Sequence, residues 1–265
     1  MFVTREPSPK LAPFVELLWL AKGATTTAAL EWVLPTGKAQ LLINLASVKL
    51  TFSRPGQPSS SRSRAAISGP RHSPMVVDTS EQAFVCGASF RAGGLAGLID
   101  VPAGELVGDL VGLDDLWARD DCVPALELLL AADEPSLVLA RLEAVLLSQV
   151  RRAVPTRAME CASRLAASAR SFAAVAQSLG MTQRRLSREF SDAVGLRPKL
   201  FQRLARFRRT LRAMEQHECL AEVAHLCGYS DQAHFNHDFR EFAEMTPSSY
   251  RANRTGYVGH VRAPG

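Results

Sequence analysis

The stretch CLAEVAHLCGYSDQAHFNHDFREF, residues 219–242, has the pattern of two short helices joined by a sharp turn. The first helix carries a buried stripe at helical spacing, made of Val223, Ala224 and Cys227. The second carries three phenylalanines on one face, Phe235, Phe239 and Phe242. Gly228 can adopt the left-handed backbone that a tight turn requires, and Ser230 or Asp231 can cap the second helix. This order is typical of a helix-turn-helix unit.

The outward face of the second helix carries four residues, Gln232, Ala233, His234 and His237. A second interpretation of His234 and His237 is a zinc site, in which His225 and Cys227 would be the further ligands. A tetrahedral site needs its ligands within about 2.3 Å of one metal ion. Here Cys227 belongs to a buried stripe, whereas His225 and the outward histidines point elsewhere. We predict no metal site. Contact with DNA is the favoured role for His234 and His237, and plain solvated side chains are the alternative.

A second unit with the same order precedes this one, in SFAAVAQSLGMTQRRLSREFSDAVG at 171–195. Ser171 and Thr182 are placed to cap its two helices, and Gly180 permits the turn between them. The outer face of its second helix is polar and basic, with Gln183, Arg184, Ser187 and Arg188. These residues predict a surface that contacts nucleic acid.

RPKLFQRLARFRRTLRAM, residues 197–214, predicts a linker helix between the two units. Pro198 suits a first helical turn, and the apolar stripe consists of Phe201, Leu204 and Leu211. Five arginines lie on other faces, and Arg203, Arg208 and Arg212 among them could merely solvate the helix. A stiff linker would hold the two units on major-groove faces about 34 Å apart, one turn of DNA.

The C-terminal region resembles the AraC-type (AraC/XylS) DNA-binding domain over about 100 residues, with both units in order. The resemblance is carried by RRLSREF (184–190), GLRP (195–198), Arg206, CGYSDQAHF (227–235), Phe239 and TPSSYR (246–251). It implies that base-facing positions correspond here to Arg184, Ser187, Arg188, Gln232, Ala233, His234 and His237. The family usually has arginine where His237 stands, which implies a weaker grip on DNA by the second unit. Thr210 also departs from the usual alanine.

Charge is spread unevenly along the 265 residues, which are enough for two domains. Residues 1–155 hold 14 basic and 16 acidic residues, a net charge of −2, whereas residues 156–265 hold 17 and 10, a net charge of +7. All 17 basic residues of the second part except Lys199 are arginines. A GC-rich genome would explain arginine over lysine but not the asymmetry, so we expect only the second part to meet a polyanion.

The first 90 residues have strand-like alternation that predicts a small barrel or sandwich. In QLLINLASVKLTF (40–52), Leu41, Ile43 and Leu45 precede a change of parity to Val48, Leu50 and Phe52. We expect a hairpin there, with its turn at Ala46-Ser47. The polar stretch at 54–64 predicts a mobile loop, and AFVCGASF at 83–90 predicts a strand.

Helical patterns follow, first in residues 113–132, where we expect one or two helices interrupted near Pro124. Residues 134–152 carry a stripe of Leu139, Leu142, Leu146 and Val150 that is either core or a subunit-pairing surface. A junction is expected at 154–156. The predicted fold is α+β, with a β-rich sensor and dimerisation domain with trailing helices (1–152), an all-α DNA-binding domain (156–254) and a tail (255–265).

Three segments of the first half resemble the sensor region of one group of AraC-type regulators: LPTGKAQLLINL (34–45), ISGPR (67–71) and GASFRAGGLAGLIDVPAGELVGDLVGLDDLW (87–117). The resemblance implies no known effector. His72 is the only histidine before residue 155, so a cupin-type metal centre lacks ligands, and we predict no cofactor. FRAGG at 90–94 is either a glycine turn or a weak anion site using Arg91 and glycine amides.

Three functions remain open from the sequence. The first is a transcription regulator whose N-terminal domain binds a small-molecule effector, with promoter DNA, RNA polymerase and a second copy of the chain as candidate partners. The second is a constitutive DNA-binding protein whose first half only dimerises. The third is a DNA-targeted alkyl-transfer enzyme, but Cys86 and Cys122 have neither CxxC spacing nor a nearby histidine. We expect a regulator and not an enzyme.

The sequence predicts no membrane segment and no secretory signal. No apolar run reaches the roughly 18 residues that a spanning helix needs, and the N-terminus shows no clear apolar core followed by small residues. The five cysteines are scattered and form no CxxC pair, which favours isolated thiols in a reducing compartment. We therefore expect a cytoplasmic protein associated with the nucleoid.

Overall fold

The computed structural model describes residues 1–23, 30–80, 83–151, 156–167 and 171–263. The strands of the first half are β1 (Phe2–Arg5), β2 (Val15–Lys22), β3 (Leu30–Val33), β4 (Gln40–Asn44), β5 (Lys49–Ser53), β6 (Ser60–Ser63), β7 (Ala65–Ser68), β8 (Met75–Asp78), β9 (Phe84–Phe90) and β10 (Leu110–Gly112). Two helices follow, α1 (Arg119–Leu130) and α2 (Pro135–Ser148). Of the predicted junction at 154–156, residues 154 and 155 lie outside the described residues.

The strands form two open antiparallel sheets. The first sheet has the order β1-β2-β9-β4-β7-β10, and the second joins β3, β8, β5 and β6 with a strand from the C-terminal end of the chain. Each sheet ends in two different edge strands, so neither closes into a barrel on its own. The expected α+β architecture, with a β-rich first half and a helical second half, is confirmed.

Alternation along β2 and β4 gives the first sheet two different faces. Leu18 and Leu20 of β2, with Leu41 and Ile43 of β4, are buried in the core shared with α2. Side chains of opposite parity, such as Trp19, point into the space between the two sheets. The stripe on α2 at Leu139, Leu142 and Leu146 is fully buried in this core. The core interpretation of that stripe is therefore confirmed, and its leucines are not exposed for pairing with a second chain.

The hairpin predicted for residues 41–52 is wrong. β4 pairs with β7 and β9 in the first sheet, whereas β5 pairs with β6 and β8 in the second. The connection crosses between sheets, and Asn44 holds it because its Oδ1 accepts hydrogen bonds from the backbone nitrogens of Ala46 and Ser47. Val48, expected on a buried face, is 72% exposed. The alternation of apolar and polar residues shows which residues share a face of a strand, but it does not show which strands pair with each other.

Two further local predictions also need correction. The polar stretch 54–64 is not a loop throughout, because Ser60–Ser63 forms β6 and pairs with β5 at the sheet edge. All four of its residues are exposed, so no apolar alternation marked it. The predicted interruption near Pro124 is also absent: α1 runs through that residue. A proline there removes a single hydrogen bond, to the carbonyl of Asp120. The strand predicted at 83–90 is confirmed as β9.

The second half is helical, as expected. Its helices are α3 (Arg157–Ala167), α4 (Phe172–Ser178), α5 (Gln183–Val194), α6 (Pro198–Gln216), α7 (Leu220–Leu226), α8 (Gln232–Ala243) and α9 (Pro247–Asn253). Their core is rich in edge-to-face aromatic pairs; Phe207 of α6, for example, lies 5.2 Å from Phe239 of α8 between ring centroids. This packing fixes the linker helix against the second unit.

The end of the chain returns to the first half. Residues His260–Arg262 form β11, which pairs antiparallel with β3 in the second sheet. Val261 is fully buried and belongs to the same apolar cluster as Leu34 and the C-terminal helices. Part of the predicted tail, 255–265, is thus a strand that ties the helical half to the β-rich half.

Candidate functional site

The first helix-turn-helix unit is built by its caps and its turn. The Ser171 hydroxyl accepts a hydrogen bond from the backbone nitrogen of Ala174 at 3.2 Å, which caps α4. Gly180 has a φ of 67° and permits the turn, and the Thr182 hydroxyl caps α5 through the backbone nitrogen of Arg185 at 3.3 Å. The capping residues predicted from the sequence are confirmed.

The outward face of α5 carries the predicted residues. Gln183, Arg184 and Arg188 are exposed, and Ser187 is half-buried between them. The neighbouring Arg185 is paired with Glu189 at 2.9 Å, whereas Arg184 and Arg188 form no ion pair with any residue that the structure describes. Two unpaired guanidinium groups on one exposed helix face are available for phosphates or for guanine edges.

The second unit has the same construction. Gly228 has a φ of 77°, and Asp231 caps α8 by accepting a hydrogen bond from the backbone nitrogen of His234 at 2.7 Å. Tyr229 is buried beneath the turn. On α8, Gln232, Ala233 and His237 are exposed.

His234 is oriented differently from its neighbours on α8. Its Nε2 lies 3.1 Å from Nη2 of Arg206, and its Nδ1 lies 3.1 Å from the hydroxyl of Ser230. Arg206 also stacks over the Tyr229 ring at 4.3 Å. The imidazole is therefore held against the linker helix.

Asp238 joins α8 to α6 from the buried side. One of its carboxylate oxygens accepts from Arg203 at 2.7 Å and the other from Arg206 at 2.7 Å. Burial disfavours the charged carboxyl, but the two guanidinium groups outweigh burial and hold the pKa of Asp238 below its usual range. Arg203 also pairs with Glu241, so it does more than solvate the linker helix.

The histidines and the cysteine of the second unit do not converge on one point. Cys227, which follows the end of α7, is buried, whereas His225 on α7 is exposed. Among the residues that the structure describes, no group of three or more histidine, cysteine, aspartate or glutamate side chains is placed to hold a metal ion. The arrangement on α8 is that of a capped helix with an exposed polar face.

A cavity of about 400 Å³ lies between the two sheets of the first half. Most of its wall is apolar, from residues such as Trp19, Leu42 and Val77. The linker helix contributes Arg208, Leu211 and Arg212, and the chain end contributes Tyr257 to His260. The helical half thus forms one wall of a cavity in the β-rich half.

Positive charge accumulates where this cavity approaches the linker helix, at Arg208 and Arg212, and Lys38 lies beside them but outside the lining of this cavity. Lys38 forms an ion pair with Glu16, yet burial and the nearby Arg208 lower the pKa of its ammonium group to about 8. Burial also lowers the pKa of Arg208, which forms no hydrogen bond or ion pair with a described residue. Arg208 and Arg212 also line a second cavity of about 590 Å³ between the halves. A half-buried guanidinium that forms no hydrogen bond favours an anionic group beside it, and the Glu16 carboxylate offsets only part of its charge.

Sequence reasoning missed this cluster, although one signal was present. Arg208 follows Leu204 by four residues and precedes Leu211 by three, so it belongs to the apolar stripe of α6. A cation within such a stripe indicates a buried polar contact. Arg91, the weak anion candidate, donates from Nε to the carbonyl of Ala12 at 2.7 Å and lines the second cavity. Its anion-binding role stays a prediction.

The candidate nucleophiles of the enzyme alternative are not activated. Cys86 is fully buried, and burial raises the pKa of its thiol to about 12. Burial, with a smaller effect of Asp114, also raises the pKa of Cys122. Alkyl transfer requires a thiolate, which both environments disfavour. Within the part of the chain that the structure describes, none of the helices combines the length and the apolar character that a membrane span requires.

Two family models match separate parts of the chain. Residues 175–253 match the model of a helix-turn-helix domain family, and residues 3–111 match a domain of unknown function, DUF6597. No curated protein gives a significant match. Among solved structures, ToxT from Vibrio cholerae O395 is 12% identical with a TM-score of 0.48, covering 97% of this chain and 99% of its own. Unsaturated fatty acid-bound ToxT from strain SCE256 is 13% identical with a TM-score of 0.49, covering 97% of each chain.

Proposed function

We infer, from the AraC-type helix-turn-helix domain that forms the C-terminal part of this chain, that the protein is a sequence-specific DNA-binding transcription regulator. The observation that carries this conclusion is the pair of capped reading helices, α5 and α8, each following a glycine turn and each presenting an exposed polar face. The linker helix α6 has 19 residues, which corresponds to about 28 Å of rigid helix. That length is comparable with the roughly 34 Å between successive major-groove faces.

We propose that the two reading helices contact bases and phosphates through the residues predicted from the sequence. On α5 these are Gln183, Arg184, Ser187 and Arg188, and on α8 they are Gln232, Ala233 and His237. The exposure of all of these residues except the half-buried Ser187 supports this assignment. His234 belongs to the same predicted set, but both of its ring nitrogens already have partners within the protein.

We further propose that the cavity between the sheets binds a small-molecule effector. Its volume of about 400 Å³ lies within the range of about 300–1,000 Å³ typical of ligand pockets. The apolar walls favour an apolar body, and Arg208, which lines the cavity half-buried and without a hydrogen bond to a described residue, favours an anionic group. Because Arg208 and Arg212 belong to the linker helix, such a ligand would contact both halves of the chain.

We also propose that the protein forms a homodimer, contacts RNA polymerase and is located at the nucleoid. The α2 stripe itself is buried, but other apolar side chains on α1 and at the start of α2 are exposed and support a paired form. These exposed side chains are Val123, Leu128, Leu130 and Leu137. The proposal assigns the chain no catalytic role, and the raised thiol pKa values of Cys86 and Cys122 support that assignment.

The effector cavity can be tested with anilinonaphthalene sulfonate, a fluorescent probe with an apolar body and one anionic group. We expect saturable binding to the full chain and about a tenfold loss of affinity in Arg208→Met, because a charge-assisted hydrogen bond is removed. Arg209→Met is the matched control, since Arg209 lies on the same helix but does not line this cavity. Equal affinity in both variants would exclude the cavity as the site. A cavity that binds no probe or metabolite would favour the constitutive alternative.

A further inference from the structure

The hydrogen bonds of His234 determine which of its ring nitrogens carries the proton. Arg206 can only donate, so the Nε2 atom that lies 3.1 Å from its Nη2 must accept. The proton of the neutral ring is then on Nδ1, which donates to the Ser230 hydroxyl at 3.1 Å. That hydroxyl donates in turn to Asp231 at 3.0 Å. Every hydrogen-bonding atom of the imidazole is therefore engaged within the protein.

This chain of hydrogen bonds connects the cap of α8 to the linker helix. At one end, Asp231 holds the first turn of α8 through the backbone nitrogen of His234. At the other end, Arg206 of α6 bonds both His234 and the buried Asp238. Arg203 extends the network from Asp238 to Glu241. The N-terminal half of α8, which carries the outward residues, is thereby fixed to α6 at two successive turns.

A base contact by His234 would break this arrangement. Its ring would have to leave both partners, and Arg206 would lose an acceptor while its Nε is buried with no hydrogen-bond partner among the described residues. An unsatisfied buried donor is unfavourable. His237, by contrast, has a side chain that is 78% exposed, and its Nε2 lies 3.8 Å from a carboxylate oxygen of Glu241. It can turn toward DNA without breaking a short hydrogen bond.

We propose that His234 is a positioning residue, which sets the angle of the second reading helix on the linker helix, and that Gln232, Ala233 and His237 carry the base contacts of that unit. This inference rests on the proposed DNA-reading function. It assigns different roles to His234 and His237, for which the sequence predicts the same role. It also assigns Arg206 and Asp238 to the same task, since both are needed to hold the ring.

The first test measures affinity of the full chain for its selected site and for a panel with single base-pair changes in the second half-element. We expect His234→Ala to weaken binding to every member about fivefold, as for one lost hydrogen bond, and to leave the order of base preference unchanged. His234→Gln should restore most of the affinity because its side-chain oxygen can accept from Arg206. His237→Ala is the matched control and should relax preference at one base pair.

A loss of preference at a single base pair in His234→Ala, with His234→Gln no better, would overturn the proposal and make His234 a base contact. A wild-type protein without any base preference would instead overturn the proposed function. The second test is independent of DNA: a long-range proton–nitrogen correlation spectrum of the full chain near neutral pH, with His234 assigned by its absence in His234→Gln. We expect the proton on Nδ1. A proton on Nε2 would overturn the proposal even if His234→Ala failed to fold.

Discussion

We predict that Lys38 gives the free energy of unfolding an unusual dependence on pH. Its side chain is only 15% exposed, and burial followed by repulsion from Arg208 lowers the pKa of its ammonium group to about 8, although Glu16 partly opposes this. In the unfolded chain the group regains its ordinary pKa of 10.5. Between these two values the unfolded state binds more protons than the folded state, so the free energy of unfolding should rise with pH.

The magnitude follows from the two pKa values. One pH unit of difference corresponds to about 1.4 kcal/mol, so the charged Lys38 costs the folded state about 3 kcal/mol well below pH 8. This cost disappears progressively as pH rises toward 10.5. Between about pH 7 and about pH 10, Lys38 alone should add about 2.5 kcal/mol to the free energy of unfolding.

The assay is urea unfolding of the full chain and of Lys38→Met across that range. The comparison is needed because burial also raises the pKa of Cys86 to about 12 and that of Cys161 to about 11. Those thiols favour the folded state below their ordinary pKa of 9.0 and reduce stability as pH rises above it. Both proteins share this loss, and Glu16 stays ionised throughout. The difference in free energy of unfolding between the two proteins therefore reports the effect of Lys38 alone. If the free energies of unfolding of the two proteins changed in parallel with pH, the reasoning would be refuted.

Three further predictions concern DNA reading and packing. Arg188→Ala should weaken specific binding by about 1–3 kcal/mol and relax preference at one base pair in competition assays; equal loss on all sequences would make Arg188 a phosphate contact. Val261→Ala should lower the free energy of unfolding by about 2 kcal/mol, because Val261 is fully buried between the halves; unchanged urea unfolding would contradict this. Gly69→Ala should prevent native folding, since its Cβ would lie 1.7 Å from the Leu106 carbonyl oxygen, while Gly256→Ala, in open space, should melt like the wild type.

The helical half could be predicted from sequence because its signals are local. Ser171, Thr182 and Asp231 cap helices a few residues away, and Gly180 and Gly228 adopt the left-handed backbone at the turns between them. Each signal and its partner lie within one or two helical turns. Short-range periodicity therefore carries enough information to place both helix-turn-helix units.

The β-rich half could be predicted only in outline because its pairings are long-range. β4 lies beside β9, more than 40 residues later in the chain, and alternation in residues 40–52 contains no trace of that choice. β11 pairs with β3 across almost the whole chain. The cavity and the cations beside it also depend on long-range contacts, since Lys38 and Arg208 come from different halves. The role of His234 was also hidden, because helical spacing shows its face but not the hydrogen bonds of its ring.

The most direct test of the DNA-reading function is selection of genomic fragments by the full-length protein at about 0.15 M salt, followed by affinity measurements at two salt concentrations. We predict one reproducible site with two half-elements about one helical turn apart for each chain. Affinity for that site should exceed affinity for unrelated DNA at both salt concentrations. Weak, steeply salt-dependent binding with no enriched sequence would contradict the conclusion that α5 and α8 read bases.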